Sequence, residues 1–84
     1  MDNRAQADEM GEIRIRMRIS NLEARLAMRE IEIAALSREI ASPLTSSKRR
    51  AEATERRDTE QADWWRIKAE LEELRKSYPR LAHH

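Results

Sequence analysis

Residues 13–40 read IRIRMRISNLEARLAMREIEIAALSREI, and the fold follows from the pattern of this segment. Its large aliphatic residues recur at alternating steps of four and three, the heptad spacing of a helix that packs along one seam. Arg29 is the one interruption of this spacing. The stretch predicts a long helix whose association seam consists of Ile15, Ile19, Leu22, Leu26, Ile33, Leu36 and Ile40.

A second heptad repeat lies nearer the C-terminus. Its first seam positions hold Arg50, Arg57 and Glu60, so we expect the start of this helix to pack poorly. Apolar residues occupy the positions that follow, and they extend the association seam through Trp64, Ile67, Leu71, Leu74, Tyr78 and Leu81.

The segment between the two repeats, SPLTSS, combines a proline with clustered hydroxyl residues, which favour a turn or a new helix start. The sequence therefore predicts an all-α protein of two long helices. We expect a flexible N-terminus at 1–7, a first heptad helix at 8–41, a turn at 42–47, a second heptad helix at 48–78, and a flexible C-terminus at 79–84. His83 and His84 in that last segment are interpreted as the remnant of a purification tag.

Two arrangements of these helices would bury the seam residues: an antiparallel helical hairpin, or an elongated parallel dimeric coiled coil. In the hairpin, the turn sets a register in which the numbers of facing core residues sum to 86, so that Leu22 faces Trp64. The same register brings together four flanking pairs of opposite charge, Arg18 with Glu70, Arg25 with Asp63, Glu32 with Arg56, and Glu39 with Arg49. The parallel rod also forms attractive flanking pairs, so charge alone does not decide between the two.

A second apolar face on the first helix favours the hairpin. It lies opposite the seam, and a two-stranded rod would leave it in water, whereas two hairpins could cover it by pairing. We therefore predict a hairpin that associates into a coiled-coil or four-helix assembly, as a homodimer or with another coiled-coil protein. The second apolar face consists of Met10, Ile13, Met17, Ala24, Ala27, Met28, Ile31, Ala34 and Ala35.

The adjacent residues Trp64 and Trp65 are expected to point to different sides of their helix, because neighbours are separated by about 100°. Trp64 falls on the seam. Trp65 falls beside it, where it either seals the edge of the bundle or contacts a partner.

The start of the second helix carries a basic segment, which is the feature that suggests nucleic acid. Five cations near a helix N-terminus can contact phosphates, although Glu32 and Glu39 are placed to neutralise part of this charge. The alternative function is thus a small helical nucleic-acid-binding regulator, whose candidate contacts are Lys48, Arg49, Arg50, Arg56 and Arg57.

The composition disfavours other function classes. The 84 residues include 39% charged side chains that nearly cancel to a net charge of +1, and no cysteine. We find no catalytic constellation, metal site, cofactor motif, small-molecule site or membrane segment, and interpret the carboxylates near Glu72 as a solvated helix face. We expect a non-enzymatic, cytoplasmic module that acts in oligomerisation, scaffolding or protein–protein interaction, on its own or as a segment of a longer filament protein.

Overall fold

The computed structural model describes residues 3–82, and side chains within residues 10–81. Within these residues three helices follow one another: α1 at Asn3–Ala41, α2 at Ser47–Ser77 and the short α3 at Pro79–Ala82. The two long helices pack against each other, so the chain is an all-α helical hairpin and not an open rod. The hairpin measures 67 × 20 × 17 Å.

Both ends of the chain are more helical than the sequence led us to expect. α1 begins at Asn3, ahead of the predicted start at Asp8, because residues 3–10 lack proline and glycine and most of them are good helix formers. α2 ends at Ser77, and Pro79 then starts α3 at a first helical position, which suits proline. α3 turns Leu81 into the core, so the segment 79–82 is packed where we predicted flexibility. The two terminal histidines lie outside the described residues.

Side-chain hydroxyls build the turn between α1 and α2. The Ser46 hydroxyl accepts a hydrogen bond from the Arg49 N–H at 3.2 Å and caps the start of α2. The Thr45 hydroxyl donates to the carbonyl of Glu39 at 2.6 Å, at the end of α1, and the same carbonyl accepts the Ser42 N–H at 3.3 Å. The clustered hydroxyls thus act as helix caps on both sides of the turn.

The apolar core lies in the half of the hairpin that is far from the turn. Leu22 and Leu71 are fully buried there, beside Ile19, Ile67 and Leu81, and Ile15, Leu26 and Leu74 pack against this cluster. Each of the eleven large seam residues from Ile15 to Leu74 named above is buried or half-buried.

The half of the hairpin near the turn has a different interior. Ala53, which our sequence analysis did not place on the seam, is only 1% exposed, and Leu36 is buried as well. The small alanine side chain lets the two helices approach at a level where neighbouring seam positions are charged. This half therefore packs more closely than the charged seam residues of α2 had suggested.

A polar layer separates the two halves. We expected Arg29 to face Arg57, but its Nη1 instead bonds Glu60 Oε2 at 3.0 Å and lies 3.6 Å from Glu32 Oε2. Burial raises the pKa of Glu60, the neighbouring Glu32 carboxyl adds to this effect, and Arg29 opposes it. Protonation of Glu60 would therefore remove the free-energy cost of burying its negative charge.

Two of the four flanking ion pairs predicted from the register are confirmed. Arg18 Nε donates to Glu70 Oε2 at 2.6 Å, and Arg49 Nη2 donates to Glu39 Oε2 at 2.9 Å. The other two predicted pairs were wrong within the described residues, because the acids bind closer partners on their own helices. Asp63 pairs with Arg66 at 3.5 Å, and Glu32 pairs with Arg29.

Candidate association surface

The second apolar face of α1 remains exposed in the hairpin. Its large side chains keep more than half of their surface in water: Met10 57%, Ile13 57%, Met17 66%, Met28 56% and Ile31 62%. The four alanines between them are exposed too. We call these nine residues, Met10, Ile13, Met17, Ala24, Ala27, Met28, Ile31, Ala34 and Ala35, the outer face.

The outer face follows directly from the helical period. The seam of α1 and the outer face are separated by roughly half a turn of the helix, so α2 can cover one of them only. From Met10 to Ile31 the outer face runs along about 32 Å of helix at ~1.5 Å per residue. This largely apolar stripe is interrupted by Ser20 near its middle, and a stripe of that length on a charged protein is typical of a binding surface.

The tryptophan pair lies beside the outer face. Its rings meet edge to face with their centroids 4.7 Å apart, and they line one open groove together with Glu30, Ile33 and Ala34 of α1. Our expectation that the two rings point to different sides was wrong, because the side-chain torsions swing both rings towards the same flank. Ala34 belongs to the outer face, so the groove and the outer face are continuous.

Trp64 has a different environment from the core position that the register assigned to it. Its indole Nε1 donates a hydrogen bond to Glu30 Oε1 at 3.1 Å, and Lys68 Nζ lies 5.9 Å from the ring centroid. Trp64 is half-buried but is not part of the apolar cluster around Leu22. Trp65, which we predicted at an edge, is 66% exposed and has an open ring face to offer.

The basic segment of α2 is largely engaged within the hairpin. Arg49 bonds Glu39 with two nitrogens, and its side chain also approaches Glu52. Arg57 is half-buried beside Asp58. Lys48 and Arg56 are exposed. The five candidate phosphate contacts therefore do not form one free cationic surface.

Arg50 has a role that the sequence analysis missed. Its guanidinium donates to the carbonyls of Ile40, Ser42 and Thr45 at 3.1 to 3.2 Å. These acceptors lie at the end of α1 and in the turn, beyond the reach of a further helical N–H. The Ser42 carbonyl also accepts the Thr45 N–H at 3.3 Å. A cation at an inward-facing position just after a turn is the signal that could have identified this clamp.

Other kinds of site find no support in the part of the chain that the structure describes. Residues 3–82 hold no group of three or more His, Cys, Asp or Glu side chains arranged to bind a metal ion. Within the same residues, no helix is both long and apolar enough to cross a membrane. The outer face and the tryptophan groove beside it are thus the features that best fit a functional surface.

No protein-family model, curated protein or solved structure matches this chain.

Proposed function

We propose that this chain is a non-enzymatic, self-associating helical module, in which two hairpins pair through their outer faces. The product is a four-helix coiled-coil assembly with the two α1 helices at its centre. Such a module serves oligomerisation or scaffolding, since it joins whatever is attached to each copy. A cysteine-free chain of this kind fits the reducing cytoplasm.

The exposed outer face carries this proposal. α2 already occupies the seam of α1, so the exposed Ile, Met and Ala side chains can leave water only against another molecule. A second copy offers the same apolar face, and a two-fold axis lets one patch cover its own equivalent. The alanines within the stripe suit this contact, because small residues allow two helices to approach closely.

The alternative function, nucleic-acid binding, has weaker support. Arg50 donates hydrogen bonds to carbonyls at the turn, and Arg49 donates to Glu39. Arg57 is half-buried. Phosphate contacts would have to replace these intramolecular bonds, so the net free energy of nucleic-acid binding would be less favourable. The same contacts stabilise the hairpin that presents the outer face.

Light scattering over a range of concentrations tests the proposal. We expect twice the chain mass of 9.9 kDa at micromolar concentration. The variant Ile31→Glu places a charge in the middle of the outer face and should give monomers of unchanged helicity, because Ile31 makes no part of the hairpin core. Leu44→Glu is the matched control: Leu44 is 94% exposed at the turn, and this variant should remain dimeric. A wild-type protein that stays monomeric at about 100 µM would refute the proposal.

A further inference from the structure

Resting on the proposed function, we infer that the second copy docks antiparallel on the outer face, in one register. In this register the numbers of facing residues sum to 44. Ile13 faces the partner's Ile31, Met10 faces the partner's Ala34, and Met17 faces the partner's Ala27. The two-fold axis passes near Ser20 and the partner's Ala24.

Side-chain volume selects the antiparallel direction. Along the outer face, the positions at alternating steps of three and four are large at the N-terminal end and mostly small at the C-terminal end. Antiparallel packing places Met10 and Met17 opposite alanines, so these layers have an intermediate volume, between the larger layer of Ile13 with Ile31 and the smaller layer of Ser20 with Ala24. In a parallel pair, Met17 would face Met17 of the second copy and Ala27 would face Ala27. The methionine layer would force the helices apart, and the alanine layer would leave a gap.

Charge selects the same direction. In the antiparallel register the flanking numbers sum to 46, which brings Arg16 beside Glu30 of the partner subunit, twice by symmetry. The same sum places Glu23 beside the partner's Glu23 once, so two attractions stand against one repulsion. Arg16 is exposed, and Glu30 uses Oε1 for the Trp64 indole, so its Oε2 is available for a cation. A parallel pair would place Arg16 beside Asn21 and Glu30 beside Ala35 of the second copy, with no ion pair at either position. The helix dipoles also oppose each other favourably only in the antiparallel pair.

The tryptophan groove completes the contact. Ala34 forms one wall of the groove, and the partner's Met10 faces Ala34 in this register. The methionine thioether then reaches the exposed ring of Trp65, a favourable sulfur–aromatic contact. Trp65 is therefore a partner-contacting residue, and the groove receives one end of the second copy.

Spin-label distances test the register, since the chain has no cysteine and single labels can be placed freely. Equivalent labels on the two copies are separated along the axis by about 24 Å at Arg14, 9 Å at Arg25 and 48 Å at Arg38, from ~1.5 Å per residue. All three sites are exposed. A parallel dimer would give the same short separation at all three.

A charge swap tests the ion pair independently. Arg16→Glu should raise the dissociation constant of the dimer roughly tenfold, because two attractions become two repulsions. Adding Glu30→Arg in the same chain should restore most of the affinity. Lys76→Glu changes the charge equally on an exposed part of α2 and should leave the affinity unchanged.

The outcomes separate the two claims. A monomer at all concentrations overturns the proposed function and this inference together. A dimer with equal short distances at the three labels, or with its shortest distance away from Arg25, overturns the register and leaves self-association standing. A dimer with the expected distances but no rescue by the double swap overturns the pairing of Arg16 with Glu30.

Discussion

The two halves of the hairpin are held together by different forces. Far from the turn, Leu22, Leu71 and their neighbours exclude water and supply the free energy of burial. Near the turn, Arg50, Arg49 and Glu39 fix how the helices meet through directional hydrogen bonds. In this small protein, stability and register are therefore encoded in separate places. Each can be damaged while the other remains.

The largest expected effect comes from breaking the apolar half. Leu22→Asp places an unpaired charge at a position with no exposed surface, which costs several kcal/mol. A chain of this size has only about 4 to 13 kcal/mol of total stability, from ~0.05 to 0.15 per residue, so we expect little or no folded protein. Circular dichroism during thermal and urea unfolding measures this. Leu44→Asp makes the same change at an exposed site and should melt like the wild type.

A smaller, local effect is expected at the polar half. Arg50→Ala removes a charged donor from three carbonyls, and we expect a loss of about 1.5 to 3 kcal/mol. Native-state hydrogen exchange should show faster opening of the end of α1 and the start of α2, with the protection around Leu71 least affected. Lys48→Ala is the control on the same helix turn, at an exposed site. Equal exchange in both variants would contradict the role of Arg50 as a clamp.

The polar layer and the turn should also respond oppositely to pH. Burial raises the pKa of Glu60, so its contribution to stability is complete below the unfolded value of about 4.3 and is lost as pH rises through the folded value. Hydrogen bonding from Arg49 lowers the pKa of Glu39, so its contribution is present above about 4.3 and is lost as pH falls.

Two isosteric variants separate these contributions. Relative to the wild type, Glu60→Gln should gain stability as pH rises through this range, and Glu39→Gln should lose it. Urea unfolding at a series of pH values gives both slopes. Parallel slopes in the two variants would show that the attraction of Arg29 outweighs the burial of Glu60, and would contradict the raised pKa of Glu60.

The smallest expected effect is a gain in α1. Gly11 lies within the helix, and a Cβ added there would meet no heavy atom within 4 Å. Gly11→Ala should therefore stabilise the protein by about 0.4 to 1 kcal/mol, mainly by restricting the unfolded chain. Ala51→Gly, at an exposed site in α2, is the reverse change and should destabilise by a similar amount. The midpoint of thermal unfolding detects both shifts.

The helices could be predicted from heptad spacing, the turn from Pro43 and the hydroxyl residues beside it, and the register from the position of that turn. Heptad steps place Ile19 and Leu71 on facing seams, and the turn then brings Arg18 to Glu70, as the structure confirms. The outer face was visible in the sequence for the same reason. Its exposure in the hairpin is what the structure adds.

Other features could not be predicted because they depend on how side chains turn after the backbone is placed. Arg29 reaches past its facing residue to Glu60, and the Trp64 ring leaves the seam for Glu30. Ala53 was overlooked because a small residue contributes little to an apolar pattern, although it decides how close two helices come. Ala53 nevertheless lies at the heptad position between Arg50 and Arg57, so its burial follows the pattern. Long side chains are the case in which heptad position says least about contacts.

The distribution of the core also has a consequence for how the chain folds. Ile19 and Ile67 share one cluster although 48 positions separate them in the sequence, so their meeting requires the closure of a long loop. Contacts that form first beside the turn and then progressively farther from it shorten that loop. The earliest of these contacts are ion pairs and hydrogen bonds, which contribute little free energy by themselves. The transition state should therefore contain a formed turn and much of both helices before the apolar cluster closes. During synthesis on the ribosome, both apolar faces of α1 are therefore exposed to water until the chain beyond Leu71 has emerged.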